Sequence, residues 1–388
     1  MKQVLNVCAK HPPFDGRVYK KIGLTLRDLG YGVHSTAPNA KDETTKDDIT
    51  IHGFTQKKGI LGRIASHKAL YRLCSEIKPD VMIAHEPDAL FVAYKYYKRE
   101  RKRRKIKLIF DCHEAYEHWH DQKLGLPFLE KRMNQIVMSA INRKIARIDG
   151  VTSVNQTMTE NFAKFNTNSW MLPSVPSKQY ALAGINEKVQ RNSTVFFGQF
   201  GVSRQKEMLL CAAEILKNKG INHTIAIIGG DGKSEEDSLF MREAQKRGVS
   251  EYFHFYGWME SERAYKVLSE YAVGMMRFDS YTMPGNYALP NKLFEYMAYG
   301  MAVIACSENI EEAGIIRESD CGVLIESETG DALAEGIIKA WADPDALERM
   351  RKNAFCAIRE KYNWDVYGEV LRNIIERQQR WITKKNVF

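Results

Sequence analysis

A chain of 388 residues, 44% hydrophobic and 27% charged, is too long for one ordinary core and has the composition of a soluble globular protein with two domains. It has no run of the roughly 18 apolar residues that a membrane span needs. The apolar stretch after Met1-Lys2 is too short for a signal peptide and reads as a first strand, and seven cysteines without C-x-x-C spacing point to a reducing cytoplasm.

In chain order, Gln3 to Ala9 reads as a strand, followed by the loop His11-Pro-Pro-Phe-Asp-Gly-Arg17 and a helix from Val18 to Leu29 that Gly30 ends. Strands are expected at 32–37 and 49–54, and a helix at 61–77. The buried strand 81–84 carries His85-Glu86-Pro87-Asp88 at its end. A helix over 89–103 leads to strand 107–110, with the polar group Asp111-Cys-His-Glu114 behind it. Helix 129–147, strand 150–154 and helix 157–165 close this half. Strands alternating with helices predict a doubly wound parallel sheet.

Two prolines at Met171-Leu-Pro-Ser-Val-Pro-Ser177 break the pattern, and residues to about 192 read as a linker. A second α/β set follows: strand 194–197, helix 205–217, strand 224–228, the turn Gly229-Gly-Asp-Gly232, helix 237–246, strand 252–256, helix 261–269 and strand 273–277. From Asn291 to Tyr299, Leu293, Phe294, Met297 and Ala298 form one apolar stripe of a helix entered through Leu289-Pro290 and stopped by Gly300. Met301 to Ala305 is the apolar run of a doubly covered parallel strand. Helices at 333–341, 344–362 and 366–381 end the chain, and the last is expected to cross back onto the first domain. The expected division is 1–173 joined by 365–388, and 174–364. Such sheets bind ligands at the C-terminal ends of their strands. A helix N-terminus there favours an anion, and Glu295, one turn deeper, suits a hydroxylated sugar.

The net charge of +9 is concentrated between Lys98 and Lys107, where the only acidic residue is Glu100. That run reads either as the solvated end of a helix or as a contact for anionic lipid. Nucleic acid is disfavoured, because no interleaved aromatics and no nucleic-acid-binding signature accompany it.

Several segments in order resemble glycosyltransferase family 4: Asp15-Gly-Arg-Val18, Pro79-Asp-Val81 with His85 to Leu90, Asp111 to Glu114, Gly198 to Arg204, Ile228 to Gly232, Phe255-Tyr-Gly257 and Leu289 to Ala305. The resemblance covers nearly the whole chain. It implies an α/β GT-B fold, two Rossmann-like domains facing a central cleft, with an acceptor domain first and a nucleotide-sugar donor domain second. It further implies a retaining enzyme that uses a nucleotide-sugar donor, UDP-sugar before GDP-sugar, and a saccharide or lipid-linked acceptor in surface polysaccharide synthesis. Such an enzyme works in the cytoplasm or at the cytoplasmic face of the membrane. A nucleotide-sugar epimerase or a catalytically silent nucleotide-sugar-binding protein are the alternatives.

By the same resemblance, His113, Arg204 and Glu295 stand at the catalytic positions. Gly16, Gln199, Arg204, Gly229, Tyr287, Ala288, Leu289, Lys292 and Glu295 fall on the donor side, and Asp15, Arg17, His85 and Glu86 on the acceptor side. Where the family usually has an Arg, this chain has Gln199, and where it has the first of two glutamates, this chain has Tyr287. Some positions also have plainer readings: Asp15 as a helix cap, Arg204 and Glu295 as surface helix residues, and His113 as a structurally satisfied histidine. Lys206 reads as solvent-facing. His113, Glu114, His118 and His120 lack the i, i+4 histidine spacing of a zinc helix, so no metal and no cofactor are expected.

Overall fold

The computed structural model describes residues 1–114, 116, 126–178, 184–201, 203–230, 234–278 and 289–376. They form two compact units, one of residues 1–174 with the C-terminal segment from Val366, the other Val175–Asp365.

The first unit contains β1 (Gln3–Val7), a π-helical turn (Val18–Gly23) running into α1 (Leu24–Asp28), β2 (Gly32–Pro38), β3 (Glu43–Thr44), β4 (Ile49–Phe54) and α2 (Gly59–Ile77). Next come β5 (Val81–Ala84), α3 (Pro87–Glu100), β6 (Lys107–Cys112), α4 (Pro127–Ile145), β7 (Gly150–Ser153), α5 (Gln156–Ala163) and β8 (Ser169–Met171). The sheet order is β3-β4-β2-β1-β5-β6-β7-β8, parallel except at β3. Strand order therefore reverses between β1 and β5. The loops leaving those two strands sit where open α/β sheets gather ligands.

The second unit contains β9 (Ser193–Phe197), α6 (Ser203–Asn218), β10 (Thr224–Ile228), α7 (Glu235–Lys246), β11 (Phe253–Gly257), α8 (Ser261–Leu268) and β12 (Val273–Met275). It continues with α9 (Asn291–Ala298), β13 (Ala302–Cys306), α10 (Ile310–Ser319), β14 (Gly322–Ile325), α11 (Gly330–Ala342), α12 (Pro344–Glu360) and α13 (Trp364–Glu376), which passes into the first unit at Val366. Its all-parallel sheet runs β11-β10-β9-β12-β13-β14, with the reversal at β9. Every residue of β13 is buried, as a parallel strand covered on both faces requires.

Several boundaries depart from the expectations. The helix expected from Val18 opens with a π turn because the Asp15 carboxylate takes the Arg17 and Val18 N–H groups, both at 2.8 Å, and the Arg17 carbonyl then accepts from Ile22. Strand β6 runs two residues further than its apolar core, since Asp111 and Cys112 pair with Thr152 and Ser153 of β7. Strand β8 lies at the start of the stretch read as linker, and β3, α10 and β14 were not anticipated. Residues 377–381 of the last expected helix lie outside the described residues. Within the first unit, Lys107 Nζ donates to the Ile375 carbonyl at 2.6 Å.

Candidate active site

Asp111, fully buried at the end of β6, is the centre of the first unit's polar cluster. Arg17 grips it with both arms: Nη2 donates to Oδ1 at 2.6 Å and Nε to Oδ2 at 2.9 Å. Thr152 Oγ1 donates to Oδ1 at 2.7 Å, and His85 Nδ1 stands 3.0 Å from Oδ2. Arg17 also donates to the Leu172 carbonyl and the Ser174 hydroxyl, so the β1 loop is tied to the segment after β8. Burial opposes the charge on Asp111. The Arg17 guanidinium and the hydrogen bonds around the carboxylate outweigh it and hold Asp111 well below the usual carboxylate range.

His11 joins this cluster to the loop. Its Nδ1 lies 3.3 Å from Asp15 Oδ2, and its Nε2 lies 2.8 Å from His113 Nε2 and 3.5 Å from Glu86 Oε1. Burial disfavours charge on His11. The Asp15 hydrogen bond and the charges of Glu86, Asp15 and Glu114 prevail and raise its pKa. Burial likewise works against the Asp15 carboxylate, yet the His11 bond and the two backbone N–H groups leave its pKa lowered. One proton lies between the two facing Nε2 atoms of His11 and His113, and His113 Nδ1 stands 3.6 Å from Asp111 Oδ2. Among the described residues His113 Nδ1 is buried without a hydrogen-bond partner.

Glu86 accepts from the Ala9 and Lys10 N–H groups at 3.0 and 2.9 Å, which fixes the path of the β1 loop. His85 is fully buried between Asp111 and Asn6, and burial lowers its pKa against the pull of Asp111. Its side chain is turned onto Asp111, as is that of buried Arg17. Gly16 is exposed, with open space where a Cβ would stand. His85, Asp111 and His113 bring ligand atoms close enough together for a metal ion. Arg17, Thr152 and His85 already occupy the Asp111 carboxylate, so a cation there would have to displace the Arg17 guanidinium.

In the second unit the ends of β9 and β10 approach so closely that a Cβ on Gly229 would run into the Gly198 carbonyl oxygen. Gly229 also has φ +114°, which favours glycine. Beside this turn, Lys206 is half-buried and pairs with Asp237 at 3.1 Å, with Nζ 4.9 Å from the Phe200 ring centroid. The expectation that Lys206 faces solvent is corrected: its ammonium holds α6 to α7. Gln199 is exposed.

Helix α9 buries Leu293, Phe294, Tyr296, Met297 and Ala298. Tyr296, not part of the expected stripe, fits because Gly274 of β12 leaves room for its ring. Its hydroxyl accepts from Phe197 N at 2.8 Å and donates to the Met275 carbonyl at 3.1 Å, joining β9, β12 and α9. On the partly exposed side Lys292 Nζ donates to Glu295 Oε2 at 2.7 Å and lies 3.5 Å from the Phe197 ring centroid. Tyr265 donates to Glu295 Oε1 at 3.4 Å and stacks on Tyr299. Pro290 precedes the helix without a side-chain cap; its carbonyl accepts from Leu293 N at 3.3 Å, which leaves the Asn291 and Lys292 N–H groups of the first turn without an intrahelical acceptor. Leu289 is half-buried at this entrance. Tyr287, Ala288 and the Arg204 side chain lie outside the described residues.

Two family descriptions match the chain: Glycosyltransferase Family 4 over residues 16–170 and Glycosyl transferases group 1 over residues 182–355. The chain belongs to glycosyltransferase family 4. This glycosyltransferase has the GT-B fold. It is similar to sucrose-phosphate synthase from Thermosynechococcus elongatus at 15% identity and TM-score 0.70, over 96% of this chain and 98% of that one. Anabaena HepE in complex with UDP matches at 14% identity and TM-score 0.70, over 97% and 99%. WaaG, a glycosyltransferase involved in lipopolysaccharide biosynthesis, matches at 17% identity and TM-score 0.64, over 97% and 100%. No curated protein matches the sequence.

The structure gathers Asp15, Arg17, His85, Glu86 and His113 in one cluster, and Lys292 and Glu295 in another. Sequence reasoning missed His11, gave Asp111 no role, and overlooked Thr152, Tyr265 and Tyr296. The i, i+4 spacing of His11 and Asp15 was the one local signal available.

Proposed function

We propose that this glycosyltransferase moves a sugar, with retention at the anomeric carbon, from a UDP-sugar to a saccharide or lipid-linked acceptor in surface polysaccharide synthesis at the cytoplasmic face of the membrane. The Glu295 arrangement carries the reading. The support is a carboxylate one turn inside a helix without a side-chain cap, held by Lys292 and Tyr265; in this reading it accepts the ribose hydroxyls while the helix N-terminus and Lys292 meet the diphosphate. HepE, a neighbour in fold, has been solved with UDP and with UDP-glucose, which favours uridine over guanosine.

Arg204 and the N–H groups after Gly198 and Gly229 stabilise charge that develops on the departing diphosphate. Such contacts accelerate the step because they strengthen as the bond breaks. His113, steadied by His11, contacts the reacting sugar, and the leaving phosphate takes the acceptor proton. No metal is required in this scheme. Residues 1–173 with the C-terminal helix serve the acceptor, and residues 174–364 the donor.

Incubation with a panel of UDP- and GDP-sugars and mass detection tests the proposal. Slow release of free sugar and UDP is expected. Epimerised donor would make the chain an epimerase, and binding without turnover a silent nucleotide-sugar-binding protein.

A further inference from the structure

The basic run that drew attention in the sequence is largely engaged in local contacts. Arg99 donates to Glu100 at 2.8 Å, Arg103 and Arg104 approach Glu100 at 3.9 and 3.7 Å, and Arg104 donates to the Pro79 carbonyl. Arg101 lies over the Tyr97 ring. A less conspicuous feature stands on α4, whose buried side uses Glu130, Asn134, Ile141 and Ile145. On the outer side Leu129, Met133 and Ile136, at i, i+4 and i+7, form a single stripe flanked by Phe128 and, just before the helix, Leu126. These side chains are 44%, 40%, 54%, 75% and 54% exposed in that order.

Four large exposed apolar side chains on one helix, with Leu126 just before it, are unlike the scattered exposed apolar residues of a soluble surface. The exposed charges on this helix are of one sign. Lys131, Arg132 and Arg143 are exposed, whereas Glu130, the helix's single acidic residue, is buried. An apolar stripe whose exposed charged neighbours, among the described residues of the helix, are cations is the composition of a helix that lies in a membrane interface. A second copy of the same face would bring like charges together, which disfavours self-association. Among the described residues no helix is long and apolar enough to cross a membrane, so the contact is a surface one.

We infer that the outer face of α4, with Phe128, Leu129, Met133 and Ile136 inserted between headgroups and Arg132 and Arg143 on lipid phosphates, docks this glycosyltransferase on an anionic membrane. The inference sharpens the membrane part of the proposed function, moving it from the basic run to a helix face. It gives a lipid-linked acceptor a short route from the bilayer to the first unit.

Flotation of the full chain with phosphatidylglycerol and phosphatidylcholine vesicles tests it. The protein is expected to float with the anionic vesicles, weakly with the neutral ones, and less as salt rises. Phe128→Ser with Ile136→Ser should reduce the bound fraction at least about tenfold. Because both side chains are exposed, the fold should be kept, with an unchanged circular dichroism spectrum and melting curve as the check. Lys98→Gln with Lys102→Gln should have a much smaller effect. Failure to float at low salt, equal flotation of the serine variant, or a dimer abolished by those serines would overturn the inference. Hydrolysis of a nucleotide sugar in the same preparations reads the transferase activity separately, so either conclusion can fail alone.

Discussion

The two strand-end clusters occupy equivalent places in two sheets of the same kind, yet they are built differently. In the first unit, charge is buried and almost wholly consumed: Asp111 is shared among Arg17, Thr152 and His85, and Glu86 is taken up by two backbone N–H groups. In the second unit the close approach is made by glycines, the support comes from a neutral tyrosine hydroxyl, and the Lys292–Glu295 pair keeps access to solvent. Removing a charge should therefore be a folding experiment in the first unit and a binding experiment in the second.

The largest effect should come from Asp111→Ala. It leaves the Arg17 guanidinium buried without its counter-ion, which typically costs about 3–5 kcal/mol. A fall of that size in unfolding free energy by urea titration is expected. If the cost is the stranded charge, Arg17→Met combined with Asp111→Leu should recover much of it. A loss below about 1 kcal/mol in the single variant would mean that the pair is not the keystone its geometry suggests. In the second unit, Tyr296→Phe leaves the Phe197 N–H and the Met275 carbonyl without their partner, at about 1–3 kcal/mol. That loss should appear as a lower melting temperature with the fold retained.

Glu295→Ala should cost little stability and weaken UDP binding about ten- to a hundredfold by calorimetry, the range for hydrogen bonds to a charged group. His113→Ala should do the reverse, lowering turnover of the donor about a hundredfold while leaving its affinity nearly unchanged. Unchanged affinity in the first variant, or unchanged turnover in the second, would remove that residue from the proposed site.

The same contrast explains what could be read from the sequence. Helix α9 was legible because its apolar stripe, entering proline and terminal Gly300 are local signals, and Glu295 lies within them. The Asp111 cluster was not, because Arg17, His85, Asp111 and Thr152 come from four separate segments. The strand order β1-β5-β6-β7 alone makes them neighbours. Tyr296 escaped notice for a related reason: a tyrosine is apolar enough for a core only when two backbone groups wait for its hydroxyl. Lys206 was misread because a helix surface gives no local sign that Asp237 will face it. The short elements β3 and β8, of two and three residues, are too brief for any periodicity to show.

The smallest predicted effect tests whether His11 is held as a cation. Its pKa is raised in the folded chain, so its contribution to stability is complete below the ordinary imidazole value of about 6.5 and is lost as pH rises through the raised value. Asp15 is lowered, so its contribution holds above the ordinary carboxylate range and disappears only in stronger acid. His85 is lowered too, which gives the opposite slope to His11, but that slope is spent once pH exceeds about 6.5. Burial pushes the Cys8 thiol up, an effect that erodes stability only near and above about pH 8.5. The falling slope above about pH 6.5 and below the thiol range therefore belongs to His11, facing Asp15, Glu86, Glu114 and His113. Unfolding free energy should fall across that interval by about 1 kcal/mol or less, and His11→Gln should flatten the fall. A slope unchanged in the glutamine variant would show that Asp15 and Glu86 do not hold a proton on His11.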